Sequence, residues 1–193
     1  VKNAASQVVR LLGFGDKIAV TSYSSGTPSA RTDFPLQSVN TVDVKDSAIA
    51  AIKSLTAGGR TSIGGGLIEA QLQVGSAVDP SYPQSIILLS DGLSNEPPFI
   101  QDVLPFIPTQ TDVYTIGFGT SSTDVDEDSL RQIAFGTGGN YYFSGASGFS
   151  KPAQGSLGGL ALIESYQSAL NKAARRQSFG FRRIIESPTD TTF

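Results

Sequence analysis

Apolar residues along this chain change period repeatedly, and each change marks an element. Val1, Ala4, Ala5, Val8, Val9 and Leu12 recur at three- and four-residue spacing, which predicts a helix over residues 1–12 with one apolar face. Gly13-Phe14-Gly15-Asp16 stops it. KIAVTSYS (17–24) is rich in branched and aromatic side chains and predicts a strand. A turn at 24–28 leads to a short strand over 31–36 that can pair back as a hairpin, and Pro35 confines it to an edge. A helix over 46–55 sets Ala48, Ile49, Ile52 and Leu55 on one face, with acidic residues near its start. A helix over 62–77 has Ile63, Leu67, Ala70, Leu72 and Val74 as apolar positions and glycines in its first turn, which let backbones approach closely. SIILL (85–89) is continuously apolar and of strand length, as in the centre of a parallel sheet.

The second half continues the alternation. A short helix opens at Pro97-Pro98 and ends near 106. A buried strand spans 112–118, a helix with an acidic first turn spans 126–135, and YYF (141–143) is a short strand. Residues 145–159 read as a flexible Gly/Ser-rich loop. A long helix spans 157–174, closed by Arg175-Arg176, and a final strand spans 178–186. Strand–helix alternation of this kind predicts an α/β fold, a doubly wound and mostly parallel sheet with helices on both faces. Ligands gather at the carboxyl ends of such strands.

Two loops carry the candidate chemistry. GGRTSIGGGL (58–67) lies between helices, and LSDGLSN (89–95) follows the apolar strand. The hydroxyl of Thr61 and the carboxylate of Asp91 suit a hard divalent cation, which takes oxygen ligands and keeps some waters. Together with GDKIAVTSYSS, ILLSDGLSN, VYTIGFG and LRQIAFGTGGNYYF, these stretches resemble the von Willebrand factor type A domain family over nearly the whole chain. Within the family the chain looks most like the domain of calcium-activated chloride channel regulator proteins and related bacterial surface proteins, where RRIIES (182–187) precedes a further domain.

The resemblance implies a metal-ion-dependent adhesion site of three loops. Thr61 matches the second loop and Asp91 the third; nothing matches the Asp-x-Ser-x-Ser of the first, and the helix at Val1 looks like the one that follows that motif. It therefore implies a type A domain over 1–177 lacking its first central strand, with 178–193 as an exit strand or linker. It also implies a Mg²⁺-type ion (Mn²⁺ and Ca²⁺ are the alternatives) held weakly without the missing loop, and a partner protein offering an acidic residue. The setting would be extracellular or at a cell surface. The missing strand is expected from an upstream segment of the same gene product, with residues 178–186 swinging back into the slot as the alternative; a chain beginning Val-Lys-Asn without Met reads as a processed or truncated piece.

Composition narrows the classes. The chain has 193 residues, 39% hydrophobic and 16% charged, enough for one domain with a buried core. A formal net charge of −3 argues against nucleic acid, and no apolar run is long enough to span a membrane. With no Cys and no His, disulfides, imidazole zinc sites and Ser-His-Asp or Cys-His catalysis are excluded, which favours a binding module over an enzyme.

Plainer readings stand beside each candidate. Thr61 could cap a helix, and Asp91-Gly92 is a common turn pair. Asn95 and Glu96 read as turn and surface residues, and Asp124, Asp126, Glu127 and Asp128 as a solvated helix start rather than a calcium site. GGRTSIGGG lacks the Gly-Lys-Ser/Thr of a phosphate loop. Gly117-Phe118-Gly119 has Ser122 where a dinucleotide fingerprint needs its third glycine. A metal-free structural domain and a Rossmann-type nucleotide enzyme remain the alternatives.

Overall fold

The structure, a computed structural model, describes residues 2–75, 84–90, 93–119 and 125–145. The first unit is helix α1 (Lys2–Leu11), strand β1 (Lys17–Tyr23), strand β2 (Ala30–Ser38) and helix α2 (Val42–Ser54). β1 and β2 form the expected antiparallel hairpin, Lys17 opposite Ser38 and Tyr23 opposite Ala30, with register shifts between Ile18 and Thr21. Val9, Phe34, Ala48, Ile49 and Ile52 bury together between the hairpin and the two helices.

α2 starts at Val42, ahead of the expected start at 46. Residues 42–45 contain no breaker, Asp43 suits the positive end of the helix dipole, and Val44 packs against the buried cluster. Lys45 fastens this turn to α1 by donating from Nζ to the carbonyls of Arg10, at 3.3 Å, and Leu12.

The second unit comprises helix α3 (Ile63–Gly75), strand β3 (Gln84–Ser90), helix α4 (Ile100–Val103) with a 3₁₀ turn Leu104–Phe106, strand β4 (Thr111–Gly119), helix α5 (Glu127–Thr137) and strand β5 (Tyr141–Gly145). β3, β4 and β5 pair in parallel with β4 in the middle. Side chains alternate along β3 as the pleat requires. Ile86 and Leu88 join Ile63, Leu67, Ile100, Val103, Leu130 and Ile133 on the face covered by α3, α4 and α5. Ile87 and Leu89 lie on the opposite face with Ile116, Phe118 and Val8 of α1. Asp126 caps α5 by accepting from the Ser129 N–H at 3.2 Å, and Gly138, at φ 85°, ends it in the left-handed conformation.

Among the described residues the strands fall into two sheets, β1–β2 and β3–β4–β5, and β1 does not pair with β3. α1 and α3 hold the two sheets together. α1 places Val9 in the first core and Val8 against the second half. α3 buries Ile63 and Leu67 over β3 and β4, accepts from the Thr32 hydroxyl at the Glu69 carboxylate, and accepts from the Leu36 N–H at Gln73 Oε1, 3.2 Å away. Among the described residues no helix is long and apolar enough to cross a membrane. The loop expected at 145–159 beyond Gly145, the helix at 157–174 and the strand at 178–186 lie outside the described residues.

Candidate functional site

The glycine loop lies where β1 ends. Gly59 has φ 78°, and a Cβ there would come within 2.5 Å of Ser25 Oγ, so only glycine lets the loop lie on the strand end. The next residue anchors it: the Arg60 N–H donates to Ser25 Oγ at 3.0 Å.

Thr61 is held by its backbone. Its N–H donates to Asn95 Oδ1 at 2.9 Å, and its carbonyl accepts from the N–H groups of Asn95 (3.0 Å) and Glu96 (3.2 Å). Arg60 Nη1 adds an ion pair to Glu96 Oε2 at 3.3 Å, but with the Arg60 side chain 66% exposed the pair is worth only about 0–1 kcal/mol. The loop after β3 is thus stitched to the glycine loop. Sequence reasoning assigned Asn95 to a turn. Its side chain instead fixes Thr61 across the chain, and no local pattern announces such a contact.

The helix-cap role proposed for Thr61 belongs to Ser62. Fully buried, Ser62 Oγ accepts from the Gly65 N–H at 3.3 Å and donates to the Pro97 carbonyl at 3.0 Å. The Thr61 hydroxyl makes no hydrogen bond among the described residues. The Ser94 hydroxyl, on the facing loop, is buried and has no hydrogen-bond partner among the described residues. The following glycines are packing requirements: a Cβ at Gly66 would lie 2.5 Å from the Tyr23 ring, and one at Gly64 would overlap the Pro98 carbonyl.

Asp91 lies outside the described residues. The chain leaves the sheet at the buried Ser90 and is next described at Leu93, two residues before the contact with Thr61. Asp126 and Glu127 of the acidic cluster have structural roles, and Asp128 is exposed. Asp126 caps the helix, and Glu127 pairs with Arg131, which stacks 4.7 Å from the Tyr141 ring centroid. Burial, and then the charge of Glu127, push the Tyr141 phenol above its ordinary value against the opposing pull of Arg131. Asp124 lies outside the described residues, among which no cluster of three His, Cys, Asp or Glu could hold a metal. Gly117 makes room for Val125, whose Cγ1 would lie 2.8 Å from an added Cβ. That packing role explains the glycine without a nucleotide.

Substitution separates the adjacent hydroxyls. Ser62→Ala removes a cap and leaves the Pro97 carbonyl without its hydroxyl donor, so a loss of about 1–3 kcal/mol is expected in urea unfolding. Thr61→Ala should stay within about 0.5 kcal/mol of the parent. An equal loss at Thr61 would show that its hydroxyl is structurally engaged.

Comparison with known proteins gives a consistent picture. A family model, von Willebrand factor type A domain, matches residues 1–152. Among solved structures, a von Willebrand factor type A protein from Catenulispora acidiphila superposes with TM-score 0.67 at 21% identity, covering 91% of this chain and 37% of that one. Proximal thread matrix protein 1 from the mussel byssus gives TM-score 0.63 at 21% identity, covering 89% of this chain and 39% of that one. The chain therefore spans less than two-fifths of either structure, and the likeness concerns the fold. No curated protein matches.

Proposed function

Because this chain belongs to the von Willebrand factor type A domain family, we propose that it is a protein-binding module rather than an enzyme, engaging a partner carboxylate through a Mg²⁺-type ion held by Thr61 and Asp91. The observation that carries this reading is the division of labour at 61–62: the buried Ser62 hydroxyl caps α3, and the Thr61 hydroxyl beside it is left unclaimed among the described residues. A hydroxyl and a carboxylate at strand ends fit a hard cation, which would supply an open coordination position for an incoming carboxylate. The absence of His and Cys from the whole chain supports binding over catalysis. An extracellular or cell-surface setting accords with the family and with a structural relative that is a thread matrix protein.

Two ligands are few for Mg²⁺, so this chain alone should bind it weakly. The test is Mn²⁺ binding followed by electron paramagnetic resonance, with thermal shift in Mg²⁺, Mn²⁺, Ca²⁺ and NAD(P). Saturable Mn²⁺ binding, removed by EDTA and lost in both Thr61→Ala and Asp91→Ala, is the expected result. Unchanged Mn²⁺ affinity in both variants would overturn the site. Stabilisation by NAD(P) instead would favour the nucleotide alternative, and no response to any of them a metal-free structural domain.

A further inference from the structure

β2 is nine residues long, and among the described residues β1 is the only strand it pairs with. Its other edge offers backbone groups to any extended chain. A regular strand of this length, held in place by the buried Phe34, would be an open template. β2 is not regular. The register gives no β1 partner to Asp33, Pro35 or Leu36, so the strand is disturbed on both sides of Phe34.

Three features at these positions oppose a further strand. Pro35 is exposed and has no N–H to give to a ladder. The Leu36 N–H donates to Gln73 Oε1 of α3 at 3.2 Å and is thereby withheld from an added strand. Asp33 sets a carboxylate within the strand with its side chain only 9% exposed. Its Oδ1 accepts from Arg31 Nε at 2.8 Å, whereas Oδ2 is buried and has no hydrogen-bond partner among the described residues. The Arg31 side chain is 68% exposed and links the carboxylate to water. A strand laid along β2 would cover Arg31 and desolvate the charge of Asp33 completely, which an ion tolerates poorly.

Stability does not account for Asp33. A buried carboxylate oxygen without a partner weakens the folded state, and a branched neutral side chain would suit a strand better. What the residue prevents accounts for it. We infer that β2 is a guarded edge: Asp33, Pro35 and the Gln73–Leu36 contact keep a second copy of this chain from adding its own β2 in antiparallel pairing. The second copy is the occupant excluded because such a pairing is self-complementary. One two-fold axis would satisfy both edges with the same surface. This inference is independent of the ion.

The test compares the 193-residue chain with a variant carrying Asp33→Thr, Pro35→Val and Gln73→Ala. In sedimentation equilibrium the variant should dimerise at least about tenfold more tightly than the parent. Amide hydrogen exchange should locate the contact, slowing in β2 as concentration rises and staying constant in α5. Equal association of parent and variant would overturn the guard, as would association that leaves exchange in β2 unchanged. Asp33→Thr alone keeps the inference falsifiable if the triple variant does not fold. It should raise the urea midpoint and still associate more tightly than the parent. A lower midpoint would show that the carboxylate serves the fold, and unchanged association would show that it guards nothing.

Discussion

Gly64→Ala should lower the unfolding free energy by about 1–3 kcal/mol, although the same exchange in an exposed helix would raise it by about 1 kcal/mol. An added Cβ would overlap the Pro98 carbonyl oxygen, lie 2.9 Å from the carbonyl carbon and sit 3.1 Å from the Phe99 oxygen. All are backbone atoms, so no rotamer relieves the contact. The loop must move, and it is the loop whose Pro97 carbonyl accepts from Ser62 and whose Asn95 and Glu96 hold Thr61. Shifted or split amide resonances are therefore expected at Thr61 and Asn95 as well as a lower urea midpoint. Gly75→Ala is the control: its nearest foreign atom is Gln71 Nε2 at 3.8 Å, an ordinary contact. If Gly64→Ala is as harmless as Gly75→Ala, the close approach of the two loops is wrong.

That contact also shows which parts of the fold were legible beforehand. β1, β3, β4 and the helices at α1 and α5 follow from period and composition, because each buries one or both faces against neighbours its own pattern implies. The edge position of β2 followed from Pro35. The start of α2 was missed because Val44 and Lys45 join it through contacts with the first core and α1, which no local pattern encodes. At the site, sequence marked the loop but not the roles within it. Thr61 and Ser62 are adjacent hydroxyls with equal claim to the cap. The choice is made by Pro97, a residue 35 positions away, whose carbonyl accepts from Ser62. Asn95 is opaque for the same reason, since it meets Thr61 across 34 positions. The pairing of Thr61 with Asp91 rests on the family's pattern, because Asp91 lies outside the described residues.

Leu67→Ala is expected to cost about 2–5 kcal/mol, a large share of a domain stability of about 5–15 kcal/mol. Leu67 is wholly buried one turn after Ile63, among Ile86, Leu88, Val113 and Leu130. The space it would leave is bounded by strands already fixed in register, so collapse is limited and a cavity remains. The damage should also spread from one sheet to the other. α3 anchors to the second half through Ile63 and Leu67, and to the hairpin through Glu69 and Gln73. Loosening the first anchor should speed amide exchange in β1 and β2 as well as in β3. Leu72, an apolar position of the same helix by sequence, is 62% exposed, and Leu72→Ala should stay within about 0.5 kcal/mol. Urea unfolding of the two variants measures the contrast. Equal, small losses would mean that α3 does not bury the face assigned to it, and that something other than this helix joins the two sheets.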